Sequence, residues 1–193
     1  MANFALKVFK YRSYTPIPFL AMMLIFQEIT TLSLIIGFII LILGALIRFW
    51  GVCFAGSETR TTGAVGGTFL IISGSFAYVR NPLYLGNLFV YLGIGIMSMA
   101  LFPYLQIVAL LFFYFQYRII ITEEEKYLLK TFGEKFERYY KSVPRFFPRF
   151  TCYKDPDVIQ PPFNLKAAIK SETRTWQALF SITMILIIFY LVF

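Results

Sequence analysis

Histidine is absent from all 193 positions, and charge is scarce, with only 15% of residues being Asp, Glu, Lys or Arg. Without an imidazole, a zinc site and a His-based catalytic triad are excluded, so acid–base chemistry falls to carboxylates, Tyr, Lys or Cys. Cysteine is nearly absent too. Cys53 and Cys152 lie on or near the basic, reducing side of the chain, and free thiols are expected there. The scarcity of charge, set against 59% hydrophobic and 20% aromatic residues and a mean hydropathy of +0.70, excludes a soluble domain. It predicts one integral membrane domain over residues 1–193, with helices packed on helices in lipid.

A net charge of +8 would suggest nucleic acid in a soluble protein, but its distribution points elsewhere. The 18 Lys and Arg residues fall in three blocks: Lys7, Lys10 and Arg12; Arg48, Arg60 and Arg80; and the stretch from Arg118 to Arg174. Connections near 28–33 and 100–103 carry none. The positive-inside rule therefore turns all three blocks to the cytosol, and the expected partner is the bilayer rather than nucleic acid.

In chain order, a basic lead over 1–14 precedes apolar runs at 17–27 and 32–50, which read as an N-terminal helical hairpin (1–50). The first run with its basic flank resembles a signal peptide, but a second run follows at once and no small-residue cleavage site is evident, so retention is expected. The first run is short enough to sit tilted or shallow. GSETRTTGAVGG, within 56–68, reads as a flexible connector or gate, since it lacks the G-x-G-x-x-G spacing of a nucleotide loop. A span at 82–99 carries Tyr84, Asn87 and Tyr91 on one face, with Gly86 and Gly93 placed for close helix approach. Asn87 reads either as interhelical glue or as a pocket wall.

The span at 103–121 should continue beyond the membrane, broken only at Gly133, and carry Arg118 and Glu123, Glu124 and Glu125 to the interface. Read alone, the glutamates are a solvated charge run. Glu134 with Arg138, and Glu137 with Lys141, form expected i,i+4 pairs. SVPRFFPRF suits the headgroup layer, and the connector and C-terminal run cover 151–193, with a short basic helix at 164–172 and a last span at 175–193. The fold class is all-α: a polytopic bundle of about five spans whose helical extension forms the pocket.

Residues 73–95, SGSFAYVRNPLYLGNLFVYLGIG, carry the sharpest local signal. Asn81 suits an N-cap and Pro82 the first helical position. The first-turn N–H groups with Arg80 make an anion-friendly locus, or else mark a membrane boundary.

Two motifs then combine. Gly74-x5-Arg80-Asn81-Pro82-Leu83-Tyr84-Leu85-Gly86, followed by Glu124-Glu125-x2-Leu128-x3-Phe132-Gly133-x5-Tyr139-x3-Val143-Pro144-Arg145, resembles the isoprenylcysteine carboxyl methyltransferase and phospholipid methyltransferase family. The resemblance spans about 73–148, within a catalytic module at 73–150. It implies S-adenosyl-L-methionine as methyl donor and a lipid or prenylated acceptor entering from the bilayer. By this resemblance Asn81, Pro82, Tyr84, Glu124 and Glu125 would surround the donor. Arg80, Glu124 and Arg118 are the catalytic candidates, and Asn87, Tyr91 and Arg145 would meet the acceptor. Asn81 stands where that family usually has His, so a protonated imidazole has no counterpart here.

A carboxylate acceptor needs no proton removed before methylation, whereas an amine does, and the lack of histidine leans toward the carboxylate. A phospholipid amine N-methyltransferase and a membrane reductase of the sterol-reductase type using NADPH are the alternatives.

Overall fold

The computed structural model describes residues 2–56 and 69–192. Most of the Gly/Thr connector, including Glu58 and Arg60, lies outside the described residues. Among those described, seven α-helices form the fold: α1 (Ala2–Tyr11), α2 (Pro16–Ile25), α3 (Thr31–Ala55), α4 (Pro82–Ser98), α5 (Tyr104–Phe132), α6 (Glu134–Ser142) and α7 (Leu165–Val192), with a 3-10 turn at Gly74–Ala77. The all-helical expectation holds.

Three helices, α3, α5 and α7, are long and apolar enough to cross a membrane. The expected count of about five spans is thereby qualified. α4 has 17 residues, the lower limit for crossing. α2 has 10 residues and rises only about 15 Å, half of a hydrocarbon core. It starts on Pro16 and ends at Ile25, and residues 27–30 are not helical.

α3 begins in a capping box: Ser33 N donates to Thr30 Oγ1 at 3.1 Å and Thr30 N to Ser33 Oγ at 3.0 Å. Ser33 Oγ also donates to Met97 O at 3.2 Å, tying the start of α3 to the end of α4. Between these helices the backbones nearly touch at two levels. A Cβ on Gly37 would stand 2.5 Å from Gly93 O, and one on Gly44 would stand 2.6 Å from Gly86 O. The seven-residue spacing on each helix repeats the contact two turns along, so small residues allow the close α3–α4 approach that fixes one wall of the bundle.

α5 is 29 residues long, about 43 Å, and stops at Gly133, whose φ of +53° suits glycine. α6 then restarts, with Phe136 and Tyr139 buried against Leu70, Ile72, Val143 and Val158. Lys141 Nζ donates to Glu137 Oε1 at 2.7 Å, as the spacing suggests. Arg138, however, does not pair with Glu134. Its Nε donates to Asp155 Oδ2 and its Nη2 to Asp157 Oδ2, both at 3.0 Å. A loop that folds back brings two carboxylates to it, and tertiary proximity overrides the i,i+4 pairing.

The C-terminal region also differs from expectation. A separate surface helix followed by a span is replaced by one continuous α7, entered through Asn164, whose Oδ1 accepts from Ala167 N at 2.9 Å. The polar SETRT stretch continues the helix because Glu172 meets a cation inside the bundle, as described below.

Candidate active site

The chain before α4 is held in register by the segment after α6. Arg80 N donates to Pro144 O, Arg149 N to Tyr78 O and Tyr153 N to Ala77 O, at 2.9, 2.9 and 3.0 Å. Tyr139 Oη donates to Phe76 O at 2.8 Å, and burial pushes its phenol pKa well up, so it remains a neutral donor. Gly74 allows the turn, with φ +63° and Phe54 so close that a Cβ would stand 2.4 Å from its ring. Asp155, held low by its hydrogen bond from Arg138, keeps the outer end of this segment in place.

Asn81 and Pro82 do occupy the N-cap and first position of α4, but the Asn81 side chain makes no cap hydrogen bond. Its amide instead donates to Arg145 O at 3.3 Å, correcting the expectation of a side-chain cap. Arg80 is likewise drawn inward. Its Nε donates to Glu125 Oε1 at 3.1 Å, its Nη1 to the carbonyls of Tyr140 and Val143, and its guanidinium lies 4.1 Å from the centre of the Tyr140 ring. Arg145 reaches the same carboxylate through Nη2 on Oε2 and Nε on Oε1. One buried Glu125 thus gathers two arginines and joins the loop, α5 and the segment after α6.

Glu124, the neighbouring carboxylate, serves differently. Tyr84 Oη donates to its Oε1 at 2.7 Å, and the Tyr84 ring packs 4.7 Å from that of Tyr117. Arg80, Asn81, Tyr84, Asn87, Tyr91, Glu124 and Glu125 all line one cavity of about 800 Å³. Its other end is apolar, walled by residues such as Leu20 on α2, Val90 and Ile94 on α4, and Leu179 and Ile182 on α7. Arg145 supports this wall through Glu125, and Pro82 is buried at the start of α4. Arg118 is not brought to the cavity: it is exposed on α5, 5.9 Å from the Tyr114 ring.

Several charged cavity residues escaped the sequence reading, Arg12, Arg48, Glu172 and Arg174 among them. Arg48 on α3 and Glu172 on α7 form a bidentate ion pair, with Nη2 on Oε1 at 2.8 Å and Nε on Oε2 at 3.2 Å. Arg48 Nη1 also donates to Asn87 Oδ1 at 2.7 Å. The available signal was a cation near the end of an apolar run, which the basic-block argument absorbed as a boundary marker.

The described site can hold a cation and hydroxyl groups at one end and a long apolar group at the other. Because Arg80 and Arg145 engage Glu125 and Arg48 engages Glu172, Glu124, held by the Tyr84 hydroxyl with Arg12 on the same cavity wall, is the carboxylate that can complement a positive or hydroxyl-bearing ligand. That donor set fits a nucleoside sulfonium.

Comparison with known proteins agrees in kind. Residues 32–135 match the phospholipid methyltransferase family. A protein-S-isoprenylcysteine O-methyltransferase of Schizosaccharomyces pombe is 37% identical over 79 residues, 41% of this chain and 33% of the relative. A cobalt-zinc-cadmium resistance protein of Cupriavidus metallidurans is 30% identical over 126 residues, 65% of this chain and 54% of the relative. The chain thus spans about half or less of the length of these curated relatives.

Proposed function

The chain belongs to the phospholipid methyltransferase family, which includes the isoprenylcysteine methyltransferases, and from that premise we propose that it transfers a methyl group from S-adenosylmethionine to a lipid-like acceptor in the bilayer. The observation that carries the reading is the two-ended cavity, with Tyr84, Glu124 and the clamped Glu125 at one end and an apolar channel toward α2 and α7 at the other. Bound at the polar end, S-adenosylmethionine supplies an electrophilic methyl group. Glu124 and Asn81 would hold its hydroxyl and amino groups, while Tyr84 orients Glu124 and Arg80 fixes Glu125 and hence the wall.

The protein sits as a multi-pass membrane protein with this end on the cytosolic face, following the basic blocks. The bundle excludes water and orients the acceptor, which supplies most of the acceleration such a transfer needs. A carboxylate acceptor is favoured because it arrives ready to react, without a base to deprotonate it.

Incubating the membrane-reconstituted protein with methyl-labelled donor and an extracted lipid fraction tests the reading. Alkali-labile label in the lipid phase is expected, as methyl esters give. Alkali-stable label would instead assign an N-methyltransferase, and measured NADPH binding with no donor binding would assign a reductase.

A further inference from the structure

α1 precedes the family-matched residues, yet α1 and the turn after it reach the cavity, which Phe9, Arg12 and Ser13 line. Phe9 is buried against Phe113, Tyr117 and Ile120 of α5. Arg12 lies 3.7 Å from the centre of the Phe9 ring and donates through Nη1 to Phe9 O at 3.0 Å, and its charge acts on Glu124 and Tyr84. Thr15 Oγ1 donates to Gln116 Oε1 at 3.1 Å, which pins the turn to α5. The inner face of α1 thus covers the polar end of the cavity.

The outer face has a different chemistry. Phe4, Lys7 and Tyr11 are exposed and fall in one row at the helical period, with exposed Lys10 beside them and exposed Tyr14 just beyond. No Asp or Glu occurs before Glu28, so nothing along this part of the chain opposes the positive charge. Apolar α2 follows the turn at 12–15, which sets α1 where the chain enters the bilayer. Aromatic rings beside lysines on such a face match a leaflet of anionic headgroups, the rings lying in the interface and the ammonium groups on phosphates.

We propose that α1 is a cover for the donor end of the cavity that docks on anionic lipid headgroups, so that a negatively charged leaflet tightens donor binding. This inference rests on the methyltransferase reading and adds a lipid partner distinct from the methyl acceptor. Lys7 and Lys10 supply the attraction, and Phe9 and Arg12 carry the docked position of α1 to the wall that holds Glu124. Lipid and donor are then coupled because both favour the closed position of α1.

The test titrates S-adenosylhomocysteine into the protein in nanodiscs of phosphatidylcholine alone and of phosphatidylcholine mixed with phosphatidylglycerol. This probe carries no net charge near neutral pH, so the surface potential does not itself concentrate it. The parent should bind about tenfold more tightly in the anionic membrane, which is within the reach of two lysines at a charged surface. Lys7→Gln/Lys10→Gln, changed at exposed positions outside the cavity, should bind equally in both membranes, and Lys7→Arg/Lys10→Arg should keep the parent's preference. Hydrogen exchange at the α1 amides gives a readout without donor: anionic lipid should raise protection in the parent and leave the glutamine variant unchanged. Equal affinity or equal protection of the parent in the two membranes, or a preference that survives in the folded glutamine variant, overturns the proposal. Should that variant not fold, salt at about 1 M should erase the parent's preference by screening, and a preference that persists overturns the proposal equally. A parent that binds no S-adenosylhomocysteine in either membrane would overturn the donor reading instead, while the exchange data still decide the docking of α1.

Discussion

Arg80 and Glu125, 45 residues apart, meet through Nε and Oε1 at 3.1 Å, with only 9% and 10% of their side chains exposed. Their contact joins the loop that opens α4 to the polar half of α5, and the chain after α6 closes over both through Arg145. Arg80 is therefore a strut for the cavity wall, and its cost when removed is structural first.

Arg80→Ala should lower unfolding stability by about 3 kcal/mol, because it leaves a buried carboxylate with one of its two cations. Thermal denaturation in detergent checks this, and an unchanged melting temperature would show that Arg145 alone suffices.

Tyr84→Phe retains the ring contact with Tyr117 and removes the hydrogen bond to Glu124. Calorimetry should show S-adenosylhomocysteine binding weakened about tenfold, since a bond to a charged group is lost and Glu124 is no longer oriented. Circular dichroism should remain that of the parent.

Gly93→Ala and Gly44→Ala should each destabilise by about 1–3 kcal/mol, because the added carbon meets backbone within 2.7 Å across the α3–α4 contact. Gly133→Ala should cost only about 1 kcal/mol, as it strains φ where nothing lies within 4 Å. Equal melting temperatures for all three would refute the close-packed pair of helices.

Acid should loosen the segment that holds the loop before α4. Asp155 has a lowered pKa in the folded protein, chiefly through the Arg138 hydrogen bond. Its contribution is thus complete above the ordinary aspartate range and is lost as pH falls through the lowered value. Protection factors at residues 145–160, corrected for the intrinsic exchange rate at each pH, should fall on acidification in the parent and be already low at neutral pH in Asp155→Asn.

Much of this architecture is legible from local pattern. The Asn81-Pro82 helix start, the break at Gly133 and the glycine spacing of α4 each follow from rules within two turns. The approach of Arg80 to Glu125 is not local, and it was visible only through the paired motifs of a family. Arg48 with Glu172 was invisible, because 124 residues separate the partners and each looks like a boundary charge. Glu134 failed as the partner of Arg138 for the same reason: sequence spacing cannot register a carboxylate that a later loop brings closer. Arg118, a candidate by family resemblance alone, lies exposed on the outer face of α5 and does not line the cavity.

The most direct test is titration of the nanodisc protein with S-adenosylhomocysteine, repeated on Glu124→Gln and Arg118→Ala. The parent should bind one equivalent, Glu124→Gln should bind about tenfold more weakly, and Arg118→Ala should match the parent. No binding by the parent, or a folded Glu124→Gln that binds as the parent does, would contradict the assignment of this cavity as the donor site.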